Sequence, residues 1–206
     1  MCHTRVKESS IHPYKFYGSL PKPMTGKSAF KKLILNNAQS ITQLQAEIHR
    51  CAKIRDIDPI QYDNWVKACA KMQEEYDRLA FPQYGLSEGI QRLKNQDQTA
   101  IDLWILFLAT DPYFFRSGYI KADVLRYFKK INFTKQQVKD LKEVLIITIQ
   151  KQRSLFRKYC LFAKYIYDED LKRRLLELCQ SADKNITNRA HEMLKICDPK
   201  ALQKIS

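Results

Sequence analysis

The sequence predicts an all-α protein built of antiparallel helical hairpins. Three observations predict it: few turn residues, apolar side chains at helical spacing, and capping signals at regular intervals. Only 5 Gly and 7 Pro occur in 206 residues, so long elements must be joined by short loops. A sandwich or barrel would need a turn signal every ~8–12 residues. Hydrophobic residues make up 45% and charged residues 28%, the balance of a chain able to bury a core. Strand signals are nearly absent, and the β-branched stretch Val144 to Ile149 lies inside a helical stripe.

Residues 1–27 read as a flexible basic arm, because Pro13, Gly18, Pro21, Pro23 and Gly26 break any periodicity. A helical hairpin region follows over 28–110. Ser40 with Gln43 makes a capping box for a helix carrying Ile41, Leu44, Ile48, Cys51 and Ala52. Asp58-Pro59 opens the second helix, where the missing N–H of Pro costs nothing. Trp65, Val66, Cys69, Met72, Tyr76 and Leu79 continue it at helical spacing. Phe81 to Gly85 ends it, and a short helix over 87–95 and an apolar helix over 98–110 complete the region.

Asp111-Pro112 is a stop, because Pro disfavours the α conformation in the residue before it. The basic region 111–206 then carries helices over about 119–131, 134–150, 153–167, 168–180 and 184–197. Thr134 with Gln137 forms a second capping box, and Asp168 and Asp183 serve as N-caps. Loops of a few residues make consecutive helices antiparallel neighbours. The two regions are also compatible with one continuous domain over 28–206.

Charge is the unusual property. The chain carries 36 Lys and Arg against 22 Asp and Glu, a net +14. Residues 1–35 hold +6, residues 36–115 hold −3, and residues 116–174 hold +10. Such an excess favours polyanionic partners, with a plain solubility surface as the bland explanation. Three consecutive helices each present a basic face. Arg126, Lys129 and Lys130 follow Arg116 and Lys121; Lys135, Lys139 and Lys142 form a second stripe. Arg153, Arg157 and Lys164 lie within about 40° of each other on a helical wheel, with Lys158 to one side. These twelve side chains are the candidate nucleic-acid contacts, through phosphates rather than base edges. Phe114, Phe115, Tyr119, Tyr127, Phe156, Tyr159 and Tyr165 interleave them, either as core or as platforms for unpaired bases, which slightly favours RNA or single-stranded DNA. The turn from Asp111 to Tyr119 reads as an aromatic plug between helical layers or as a recognition loop.

No catalytic constellation is legible. There is no Gly-rich phosphate loop, no GxSxG and no HExxH. Asp123 and Asp140 are the nearest carboxylates that a base-processing enzyme could place in a basic groove. Cys2, Cys51, Cys69, Cys160, Cys179 and Cys197 form no CxxC pair, and His3, His12, His49 and His191 no ligand motif, so neither a metal nor a cofactor is expected. No apolar leader is seen at Met1, and Ile101 to Ala109 falls short of the ~20 apolar residues that cross a bilayer. A cytoplasmic or nuclear location with reduced thiols is expected, without membrane insertion.

Residues 168–197 resemble a HEAT repeat. Asp168 to Cys179 has the leucine spacing of the first helix of such a repeat. Asp183, Asn185, Ile186, Arg189, Ala190 and Leu194 fall where the family pattern expects them in the second, whereas Thr187 replaces the usual Arg. The pair over 134–167 matches in layout only. The resemblance implies a short solenoid and a non-enzymatic scaffold with a concave face. Stacking needs three or more units, and 119–197 supplies between two and three; a compact bundle with local HEAT character is the alternative. The function expected is non-enzymatic nucleic-acid binding, or otherwise a protein scaffold whose basic face meets an acidic partner.

Overall fold

Helix formation begins well before Ser40. A computed structural model, which describes residues 26–151 and 155–201, places α1 over Lys27–Ala52. Phe30, Ile34, Ala38 and Ile41 form its buried stripe, at the three- and four-residue spacing that keeps one face inward. The Ser40 capping box is therefore incorrect. Ser40 sits inside α1, where backbone N–H groups already have partners, and its hydroxyl donates to Asn36 O at 3.2 Å. Lys27, assigned to the arm, is the first residue of α1, and residues 1–25 lie outside the described part of the chain.

The remaining helices are α2 (Pro59–Ala80), α3 (Leu86–Lys94), α4 (Gln98–Thr110), α5 (Ser117–Phe128), α6 (Lys135–Gln150), α7 (Phe156–Ala163), α8 (Glu169–Cys179) and α9 (Lys184–Cys197). No strand occurs among the described residues, so the all-α expectation holds. Most capping signals act as read. The side chains of Asp58, Asp168 and Asp183 accept backbone N–H groups of their first turns, and Thr134 with Gln137 closes a reciprocal capping box. At Asp111 the chain turns into the left-handed region and α4 stops. Two boundaries differ: α5 ends at Phe128, and α7 is far shorter than 153–167. Lys129 and Lys164 are C-cap residues, and 152–154, with Arg153, lie outside the described residues.

The buried side chains form one connected cluster from Phe30 to Ala201. Under α3 the packing leaves no room for a larger side chain. Phe81 stacks on Trp104 with ring centroids 3.7 Å apart, and Trp104 Nε1 donates to Gly89 O at 2.9 Å. A Cβ on Gly89 would lie 2.5 Å from the Phe81 ring, so only glycine lets α3 come this close.

Alternate helices touch: α3 meets α5, α5 meets α7, and α7 meets α9, while α4 meets α6, α6 meets α8, and α1 lies against α4. Gln137 in the first turn of α6 donates to Gln98 at the start of α4, at 3.2 Å. Leu155, before α7, lies beside Gly118 in the first turn of α5. At the other end of the same pair, Lys129 Nζ sits 5.1 Å from the ring of Tyr165. Starts therefore adjoin starts and ends adjoin ends, so basic side chains that are far apart in sequence meet at the edge where α5 and α7 finish.

Candidate nucleic-acid interface

A trio of rings holds that edge together. Phe128 ends α5, Phe133 precedes α6 and Phe162 is in the last turn of α7. Their centroids are 5.2 Å (Phe128–Phe133), 5.9 Å (Phe128–Phe162) and 6.3 Å (Phe133–Phe162) apart. Phe128 and Phe162 are buried. Clustering these rings draws the 129–134 loop against the end of α7. As a result Lys129 and Lys130, Lys135 and Lys139 on α6, and Lys164 with Tyr165 come to one edge. All five lysines are at least partly exposed, and none makes an ion pair with a described residue. Lys129 lies over the ring of Tyr165, a residue 59% exposed, a cation–π contact at the surface.

The charge extends along α5. Arg126 Cζ and Lys94 Nζ lie 5.1 and 5.3 Å from the Tyr127 ring centroid. Arg126 also pairs with Asp123 at 3.0 Å. Lys94 was missed by the sequence reading because it ends α3, inside the net-negative segment. Its only local signal was its place as a cation in the last turn of a helix. Lys158 and Arg157 are exposed in the first turn of α7, and Arg116, with φ 64°, is the N-cap of α5 with its guanidinium over Phe115. These three belong to the opposite ends of α5 and α7, so the residues singled out do not form a single patch.

Two of them are removed from the candidate surface. Lys121 is buried, with Nζ 2.7 Å from Asp111 Oδ1 and 2.6 Å from Pro112 O. Lys142 is buried as well, donating to Asp168 at 2.6 Å and Asp170 at 3.1 Å. Both spend their charge on neighbouring carboxylates or a backbone carbonyl, because an ammonium that loses water needs such partners. Burial alone would lower the pKa of Lys142, but its bonds to the two aspartates outweigh that and raise it. The Asp170 carboxyl is held below its usual range, chiefly by the hydrogen bond from Lys142. The stripe Lys135, Lys139, Lys142 thus splits, with two cations outside and one inside.

The aromatics divide too. Phe114, Phe128, Phe156 and Tyr159 are core. Tyr113, Phe115, Tyr119 and Tyr165 are exposed, Tyr113 by 92% and Tyr119 by 77%. The 111–119 turn therefore plugs the core with Phe114 and shows its tyrosines to solvent. Tyr76 anchors it, donating from its hydroxyl to Phe115 O at 2.8 Å.

Among the described residues, no group of three or more His, Cys, Asp or Glu side chains is placed to hold a metal. Asp123 is engaged by Arg126, and Asp140 by Gln136 and Lys27. No described helix is long and apolar enough to cross a membrane. Comparison with protein-family models, with curated proteins and with solved structures returned no match.

Proposed function

We propose that this chain is a non-enzymatic nucleic-acid-binding protein that tracks phosphates along the edge where α5 and α7 end and α6 begins. One observation carries the reading. Lys129, Lys130, Lys135, Lys139 and Lys164 gather around the Phe128–Phe133–Phe162 cluster and make no ion pair among the described residues; Asp168 and Asp170, which line a groove with Lys135 and Lys139, are engaged by Lys142. Clustered, hydrated cations attract the phosphate backbone by releasing its counterions. Lysine point charges on helix ends carry little base readout, so sequence selectivity is weak. The exposed Tyr165 at this edge favours RNA or single-stranded DNA over a duplex, because only unpaired bases offer their faces for stacking. The compartment proposed is cytoplasmic or nuclear.

The architecture proposed for this surface is a two-layer stack of antiparallel helical hairpins, HEAT-like in its C-terminal half. The contacts of α5 with α7 and of α7 with α9, alongside α4 with α6 and α6 with α8, support it. Such stacking repeats a helix end at regular spacing along one edge, a suitable arrangement for a linear polyanion.

A protein scaffold is the second reading. It is favoured by apolar side chains at the α1–α2 turn: Ile57 and Ile60 are each 71% exposed, and Tyr62 and Val66 are exposed nearby. Fluorescence anisotropy separates the two. Labelled single-stranded RNA, single-stranded DNA and duplex DNA are titrated at several salt concentrations. The proposal expects tighter binding of single strands and an affinity that falls steeply with salt. Absence of binding at low salt contradicts it and favours a protein partner.

A further inference from the structure

The facing sides of α4 and α6 leave a groove of about 500 Å³. Ile105, Leu106, Ala109, Val144 and Ile147 give it apolar walls, and Asp102, Asp140 and Glu143 add carboxylates. Asp140 pairs with Lys27 at 3.5 Å and Glu143 with Arg174 at 2.8 Å. Asp102 accepts a hydrogen bond from Gln137 but makes no ion pair among the described residues. An occupant suited to these walls is apolar around most of its circumference and cationic along one edge. Lys27, which opens α1, itself lines the groove, so the chain preceding α1 starts out at its rim.

We propose that the segment Leu20-Pro21-Lys22-Pro23-Met24-Thr25 of this same chain docks in the groove between α4 and α6. Three properties suit it to that place. It is tethered there, because only Gly26, exposed and at φ 127°, separates it from Lys27. Its two prolines have no N–H to satisfy, and helical walls whose backbone groups are already paired offer no acceptors. Prolines also favour an extended helix of three residues per turn. In that form Leu20 with Pro23, and Pro21 with Met24, would make two apolar edges with Lys22 on the third, a cation of the sign that the Asp102 carboxylate calls for. At ~3.1 Å per residue six such residues span about 19 Å. The groove follows α4 from Gln98 to Ala109, about 17 Å at the helical rise, so the segment is long enough to fill it. This docking is independent of the nucleic-acid reading, which concerns the other side of α6.

Methyl NMR on the full chain tests it. Signals of Ile105 and Ile147 are compared between the full chain, a chain lacking residues 1–25, and the full-length double variant Leu20→Asp/Met24→Asp. These substitutions lie outside the described helices. The expected result is that truncation and the double variant move both methyl signals to the same new positions, independently of protein concentration. A synthetic peptide of residues 11–25 added to the truncated chain should move them back. Coincident spectra of full and truncated chains overturn the proposal. So does a double variant that keeps the full-chain positions, or a shift that grows with protein concentration, which assigns the groove to a second copy.

Discussion

Lys142 and Lys139 are three residues apart on one helix, yet the first is an internal cation and the second a surface one. The difference is made by Asp168 and Asp170, which meet Lys142 from the start of α8. The contact has a pH signature. Lys142 is raised above its ordinary 10.5, so its contribution is complete below that value and is lost as pH rises through the higher folded pKa. Asp168 and Asp170 are lowered below 3.8, so theirs is present above that value and is lost as pH falls through the folded pKa. Lys142→Met keeps the aliphatic stem buried while the half-exposed aspartates regain water. We therefore expect a stability change of no more than ~1 kcal/mol in urea denaturation, since ion pairs with solvent-exposed carboxylates contribute about that much or less and the aspartates left behind stay hydrated. The alkaline loss attributable to Lys142 should disappear in that variant. The thiol of Cys197 is pushed up to about 11 by burial, and burial raises that of Cys160 further. Both should resist alkylation at pH 8 in the folded protein and react once it is unfolded, because the thiolate is the nucleophile.

At the level of elements, capping chemistry was more legible than register. Asp58, Thr134, Asp168 and Asp183 each cap the helix that follows, because an acceptor side chain at a helix start answers unpaired N–H groups whatever the tertiary fold. Ser40 and Gln43 have the same spacing in the middle of α1, where no such groups are free. The true start at Gly26 has no side-chain cap to reveal it. Asp183→Ala should cost about 0.5–2 kcal/mol in chemical denaturation, the usual worth of an N-cap. Gly89 could not be understood from sequence, since its role depends on Phe81, just past the end of α2, and Trp104 of α4 packing against it. Gly89→Ala should gain at most ~1 kcal/mol of helix propensity. It should lose more than that by overpacking the Phe81 ring, typically ~1–3 kcal/mol, for a net fall in urea midpoint. A rise in midpoint would show that Phe81 can move aside.

For the whole molecule, segment charge located the basic half but not the surface that displays it. Lys121 and Lys142 count toward the excess yet face inward, whereas Lys94 counts in the net-negative segment yet adjoins Arg126 across Tyr127. Which cations share an edge depends on α5 and α7 ending side by side, a contact between residues far apart in sequence. The proposed function requires that this edge, and not net charge, binds nucleic acid. Its most direct test is the salt dependence of single-stranded RNA binding by two sets of variants. Charge reversal of Lys130, Lys135, Lys139 and Lys164 to Glu should weaken binding and flatten the log–log salt slope by about 3, near the ~0.7 per phosphate contact typical of single strands. Lys121→Met and Lys142→Met, which also remove positive charge, should leave affinity and slope at wild-type values. Equal weakening per charge removed in both sets would assign the binding to net charge and not to this edge.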